Sequence, residues 1–128
     1  MPTPEIPVIA IVDDDPIYRK ILSMLLKKSN MTILFEAENG ADCIRLMQES
    51  TVFPDLVILD VEMPVMDGFE TAKLLKLSWP EVRLIGHSSA IDINAQAEMM
   101  ACGVNVFLVK DAQSKKIVET IRQILNEN

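Results

Sequence analysis

Five short apolar runs recur along the chain, and longer segments with helical periodicity separate them. The runs are Val8–Val12, Thr32–Ala37, Asp55–Leu59, Val82–Gly86 and Val106–Val109. Apolar residues return every three or four positions over Pro16–Lys28, Ala41–Glu49, Gly68–Leu77, Ile93–Ala101 and Ser114–Asn126. In the last of these, Ile117, Ile121, Ile124 and Leu125 form one stripe, with lysine and arginine elsewhere. Strands alternating with helices predict an α/β fold: a doubly wound five-stranded parallel sheet between two helical layers. Right-handed crossovers leave few arrangements of such a sheet.

The character of each run orders the strands. "VIAIV" and "LVIL" are apolar throughout, as strands covered on both faces must be, so both are central. "TILFEAE" carries Thr32, Glu36 and Glu38 and suits an edge. "VRLIG" and "VNVFLV" each hold one polar residue and lie further out. The order 2-1-3-4-5 satisfies all five, with the chain reversing between the first and third strands. Ligands of open α/β sheets bind beyond the carboxyl ends of the strands at such a reversal.

That edge is where the polar residues gather. Asp13, Asp14 and Asp15 follow the first strand, Asp60 the third, His87, Ser88 and Ser89 the fourth, and Lys110 the fifth. Two carboxylates about 4 Å apart repel by roughly 4 kcal/mol at an effective dielectric near 20, so the crowding needs a cause. Asp15 before Pro16 is a helix start, the aspartate as N-cap and the proline at the first helical position. Asp13, Asp14 and Asp60 then form a set of oxygen donors suited to a hard divalent cation such as Mg²⁺. Asp60 closing "LVIL" reads either as a loop cap or as a nucleophile, since carboxylates attack phosphorus to give aspartyl phosphates. Such a transfer needs charge neutralisation, which a cation on one side and Lys110 on the other would supply, with Ser88 donating to a phosphoryl oxygen.

Composition narrows the partners. The chain has 128 residues, 49% of them hydrophobic and 24% charged, which is globular and sufficient for one buried core. Its net charge of −7 argues against direct nucleic-acid binding and fits recruitment of cations or basic partners. "MPTPEIP" has neither a basic start nor an apolar run of signal length, and no stretch is long enough to span a membrane, so a cytoplasmic location is expected. Cys43 and Cys102 sit alone inside apolar helical patterns and are expected as free, buried thiols.

In order and spacing, "IVDDDP", "LVILDVEMPVMDG", "IGHSSA" and "FLVK" resemble the receiver domains of bacterial two-component response regulators. The resemblance covers essentially residues 1–128 as a single domain, leaving no room for an output domain within the chain. It implies the flavodoxin-like receiver fold and an Asp60 that accepts a phosphoryl group from a sensor histidine kinase or phosphotransfer protein. It implies Mg²⁺, with Mn²⁺ able to substitute, held by Asp13, Asp14, Asp60 and the backbone carbonyl of Glu62. Ser88 takes the place of the switch hydroxyl, Lys110 that of the family's lysine, and Phe107 that of the aromatic switch residue. Phosphorylation would change the surface of the fourth helix, fifth strand and fifth helix. The resemblance further implies an output domain or effector as partner, and phosphorylation-dependent homodimers. The chemistry implied is the domain's own phosphorylation and slow autodephosphorylation rather than enzymatic turnover.

Some residues depart from the family's pattern. Phe107 replaces the common tyrosine and lacks its hydroxyl, and Asp111 replaces the proline whose cis bond usually follows the lysine. "LVKD" also resembles receivers that precede helix-turn-helix output domains. Glu62 and Ala90, two residues beyond Asp60 and Ser88, flank the path of a hydrolytic water, so Glu62 is expected to influence phosphoryl lifetime. His87 is read as a polar residue at a strand end, and the methionines, Met63, Met66, Met99 and Met100 among them, as core or loop filler. One of Ile91 and Ile93 is expected to be buried, and Trp79 to lie away from the strand ends. Three alternatives stand beside this reading: a Mg²⁺-dependent phosphohydrolase with Asp60 as turnover nucleophile, a degenerate receiver acting only as an interaction module, and a flavin-binding domain. The last needs a phosphate-cradling loop where this chain has three negative charges.

Overall fold

A computed structural model of the chain describes residues 5–89, 93–110 and 115–126, without the side chain of Lys115. Five strands, β1 (Val8–Val12), β2 (Thr32–Ala37), β3 (Leu56–Asp60), β4 (Arg83–Ser88) and β5 (Val106–Val109), alternate with five helices. The helices are α1 (Pro16–Lys28), α2 (Gly40–Glu49), α3 (Gly68–Ser78), α4 (Ile93–Ala101) and α5 (Lys115–Asn126). All neighbouring strands pair in parallel, in the order β2-β1-β3-β4-β5. The expected topology is the observed one.

Alternation along the strands divides the core in two. Ile9, Ile11, Leu56, Ile58 and Ile85 face α1 and α5, where Leu22, Leu26, Ile117, Ile121 and Ile124 meet them. Ala10, Val12, Val57, Leu59 and Leu84 face the other way, against Cys43, Met47, Ala72, Leu75 and Met99 of α2, α3 and α4. Because both faces are covered, β1 and β3 have no polar position until their last residue or beyond. The edge strand β2 exposes Thr32 and Glu36, as its composition predicts. Both cysteines are free and buried, and burial pushes the Cys43 thiol up to about 12.

Two expectations about strand ends need correction. Asp60 ends β3 instead of following it, and β4 continues through His87 and Ser88, because Asp60–His87 and Ser88–Val109 still pair. The interior of β4, Leu84–His87, is as buried as that of β1, since β3 and β5 flank it and helices cover both faces. Ile93 is 77% exposed at the start of α4, so the burial expected of one of Ile91 and Ile93 is left to Ile91. Ile91, Ala90, Asp111 and Ser114 lie outside the described residues. Trp79 caps the far end of α3 and packs beside Phe53, well away from the carboxyl edge, as expected.

A candidate phosphoryl-acceptor site at the carboxyl edge of the sheet

Register brings the acidic residues together. Val12 pairs with Leu59, so Asp13 and Asp60 leave the sheet side by side. Asp13 is held by three contacts: its N–H donates to the Ala37 carbonyl at 3.0 Å, its Oδ1 accepts from the Asp15 N–H at 2.9 Å, and its carbonyl accepts from Arg19 at 2.6 Å. Asp15 caps α1 as expected, accepting from the N–H groups of Ile17 at 3.0 Å and Tyr18 at 3.3 Å. The triplet is therefore split by role: Asp13 turns inward, Asp15 caps, and Asp14 stays exposed at the rim.

Carboxylate oxygens of Asp13, Asp14 and Asp60 all lie within 4.8 Å of one another. Asp13 is 3% exposed and Asp60 6%, so two of the three sit where charge is poorly solvated. Lys110 answers part of that: its Nζ lies 2.5 Å from Asp13 Oδ2 and 3.5 Å from Asp60 Oδ1. Asp60 Oδ1 also accepts from the Val61 N–H at 2.9 Å. The compensation is incomplete. Burial and the Asp13 carboxylate push Asp60 up to about 7, against the lowering pull of Lys110 and the Val61 N–H. One ammonium cannot neutralise three carboxylates.

The donors fit a hard divalent cation. They are all oxygens, they converge, and their net charge is negative even with Lys110 present. The site opens into a cavity of about 530 Å³, lined by Asp14, Asp60, Glu62, Ser88, Lys110 and Tyr18 among others. Another hollow, about 440 Å³ between Glu5 and Arg122, lacks such a convergent acidic set.

Each remaining residue of the expected site can be located. Glu62 is exposed at the cavity, and Ser88 is half-buried at the end of β4, the strand that pairs with β3. The Lys110 N–H donates to the Ser88 carbonyl at 2.6 Å, tying the ends of β4 and β5 together. Phe107 is half-buried toward α4, and a Cβ at Gly86 would lie 3.1 Å from its ring. His87 is no strand-end ornament: it is 4% exposed, and its ring nitrogens are 3.2 and 3.3 Å from the Tyr18 hydroxyl.

Sequence reasoning missed Tyr18 and Gly68. Tyr18 begins the inward stripe of α1 that continues as Leu22 and Leu26, and that spacing was the available signal. Gly68 lies against the backbone of Asp60, where a Cβ would come 2.2 Å from the Asp60 carbonyl oxygen. Its N–H donates to the Val61 carbonyl at 2.8 Å. A glycine in "MDG" announces a turn or helix start, not this close approach.

A reversal-point sheet with acids just after β1 and at the end of β3, a hydroxyl on β4 and a lysine after β5 is the arrangement of a signal-receiver class of α/β domain. Comparison with known proteins agrees. The response regulator receiver domain family matches residues 9–122. Chemotaxis protein CheY of Bacillus subtilis (strain 168) is 33% identical over 118 residues, covering 92% of this chain and 97% of CheY. The transcriptional regulatory protein LnrK of the same organism is 31% identical over 117 residues, 91% of this chain but only 52% of LnrK. The response regulator domain of Thermotoga maritima CheB superposes with a TM-score of 0.83 at 26% identity, over 97% of this chain and 99% of that one. CheY in the Borrelia burgdorferi CheX–CheY–BeF3–Mg complex shares the fold, with a TM-score of 0.87 at 22% identity over 94% and 90% of the two chains. The chain belongs to the response regulator receiver domain family of two-component signalling. Among the described residues, no helix is long and apolar enough to cross a membrane.

Proposed function

We propose that Asp60 is the phospho-acceptor of this domain and takes its phosphoryl group from a phosphohistidine on a sensor histidine kinase or phosphotransfer protein. The observation that carries this reading is the convergence of Asp13, Asp60 and the Lys110 ammonium within hydrogen-bonding range at a cavity mouth. An ionised Asp60 oxygen attacks phosphorus, the P–N bond breaks, and its electron pair returns to the imidazole of the donor. The Lys110 ammonium is close enough to follow the charge onto a phosphoryl oxygen. The Ser88 hydroxyl, lining the same cavity, donates to another. Asp13, Asp14, Asp60 and the Glu62 carbonyl would hold Mg²⁺, with Mn²⁺ able to replace it, and the ion when bound neutralises the crowded acids and the phosphoryl oxygens.

The docking face follows from α1, whose N-terminus adjoins the site. Ile17, Ile21 and Met24 recur at helical spacing and are 71%, 54% and 63% exposed. A donor protein covering that stripe brings its phosphohistidine to Asp60 while burying apolar surface. Movement of Ser88 toward the phosphoryl group is passed to β5 through the Lys110–Ser88 backbone bond, and Phe107 repacks beside Gly86. The surface of α4, β5 and α5 then changes, toward an effector, an output domain or a second copy. Coupling of this kind is worth about 1 to 3 kcal/mol, a shift of populations. The domain performs only its own phosphorylation and slow dephosphorylation, in the cytoplasm where its donor is charged.

Intact-mass measurement with acetyl phosphate and Mg²⁺ tests the assignment. The wild type should gain one phosphoryl mass and Asp60→Asn none. An equal gain in both would move the acceptor elsewhere.

A further inference from the structure

Resting on that reading, we infer that Tyr18, pinned by His87, is a positioning residue for the Lys110 ammonium. Lysine is a flexible four-carbon stem with a point charge at its tip, and the site needs that charge in one place. Asp13 and Asp60 draw it from one side, at 2.5 and 3.5 Å. On another side the ammonium lies 4.7 Å from the centre of the Tyr18 ring, within cation–π range. The Lys110 side chain is only 13% exposed there, so water screens the contact weakly. The aromatic face closes the lysine's pocket.

The tyrosine is itself held. His87 sits on β4 opposite Asp60 in register, 4% exposed and fixed by the sheet. Its ring meets the Tyr18 ring edge-on, 5.4 Å between centres at 66°, and its nitrogens lie 3.2 and 3.3 Å from the Tyr18 hydroxyl. Whichever nitrogen carries the proton, the hydroxyl has a partner: it donates to the bare nitrogen or accepts from the N–H. A ring bonded to a rigid strand does not swing away from the lysine. The order of support runs from β4 through His87 to Tyr18, and from Tyr18 to the charge that meets the phosphoryl group.

The test measures phosphorylation rates of the full chain with acetyl phosphate and Mg²⁺, in wild-type and Lys110→Met backgrounds. Tyr18→Leu should slow the wild-type background about fivefold, the size of a partly desolvated cation–π contact, and change nothing further in Lys110→Met. Tyr18→Phe, which keeps the ring, should fall between wild type and Tyr18→Leu. His87→Leu should match Tyr18→Phe and add nothing to it in the double variant. Mg²⁺ titration and thermal unfolding establish that each variant is folded; should Tyr18→Leu not fold, the His87→Leu and Tyr18→Phe pair decides. An unchanged rate in Tyr18→Leu, or an equal slowing with and without Lys110, would overturn the inference. Absence of phosphorylation in the wild type, or its persistence in Asp60→Asn, would overturn the acceptor assignment instead.

Discussion

Replacing Gly68 by alanine sets two magnitudes against each other. Gly68 opens α3 behind its N-cap Asp67, which accepts from the Glu70 N–H at 3.0 Å. Propensity alone favours alanine in a helix, by up to about 1 kcal/mol. Packing says otherwise. The added Cβ would lie 2.2 Å from the Asp60 carbonyl oxygen and 2.8 Å from Val61 Cα. Both are backbone atoms with no rotamer to change, and ordinary C···O contacts begin near 3.3 Å, so helix or strand end must move by about 1 Å. Overpacking of this kind costs about 1 to 3 kcal/mol, which outweighs the propensity gain. A net loss of about 1 to 2 kcal/mol lowers the urea midpoint by about 0.5 to 1 M. A displacement of about 1 Å at a reacting group costs up to about 100-fold in rate, so phosphorylation by acetyl phosphate should fall much more than stability does. Urea unfolding followed by circular dichroism and intact-mass kinetics read the two effects separately. A midpoint equal to or above wild type, with an unchanged rate, would show that the close approach does not hold Asp60 in place.

Three other perturbations reach different parts of the account. Asp60 stands near 7 in the metal-free fold against about 3.9 unfolded, so between those values the native state holds a proton the unfolded chain has released. Metal-free stability relative to Asp60→Asn should therefore decline as pH rises from about 4 to about 7 and then level, while the Mg²⁺-induced rise in Tm grows through that window; a pH-independent difference contradicts this. Val65 has φ 71°, is 83% exposed, and sits in a three-residue turn closed by Met66 N–H to the Pro64 carbonyl at 2.8 Å. A β-branched residue there is strained, so Val65→Gly should stabilise by about 1 kcal/mol after the entropic cost of glycine, and a fall in Tm on calorimetry would refute the strain. Glu62, exposed at the cavity, offers an acceptor to a hydrolytic water, so Glu62→Gln should slow dephosphorylation about two- to fivefold; an unchanged rate removes the idea.

The sheet was legible because its strands are short, apolar on both faces and punctuated by polar residues, and because Thr32 and Glu36 mark β2 as the edge. Polarity misled where a strand continues into the site. The apolar run stops at Gly86, so His87 and Ser88 read as polar residues at the strand's end, yet parallel pairing with Asp60 and Val109 carries the strand through them. The acids, the hydroxyl and the lysine were legible as strand-end residues of compatible chemistry. Their supports were not. Gly68 matters by having no Cβ beside a backbone 8 residues earlier in the chain, and Tyr18 is held by His87, on a strand 69 residues away. No local periodicity encodes either distance.

The central claim is that the oxygen of one residue, Asp60, becomes bonded to phosphorus. Borohydride reduces an acyl phosphate to an alcohol, so an aspartate caught in that state becomes homoserine. After incubation with acetyl phosphate and Mg²⁺, reduction and peptide mapping should find homoserine at position 60, and none when Mg²⁺ is chelated. Homoserine at position 13 or 14 instead, or an unmodified residue 60 in protein that has gained the phosphoryl mass, would contradict it.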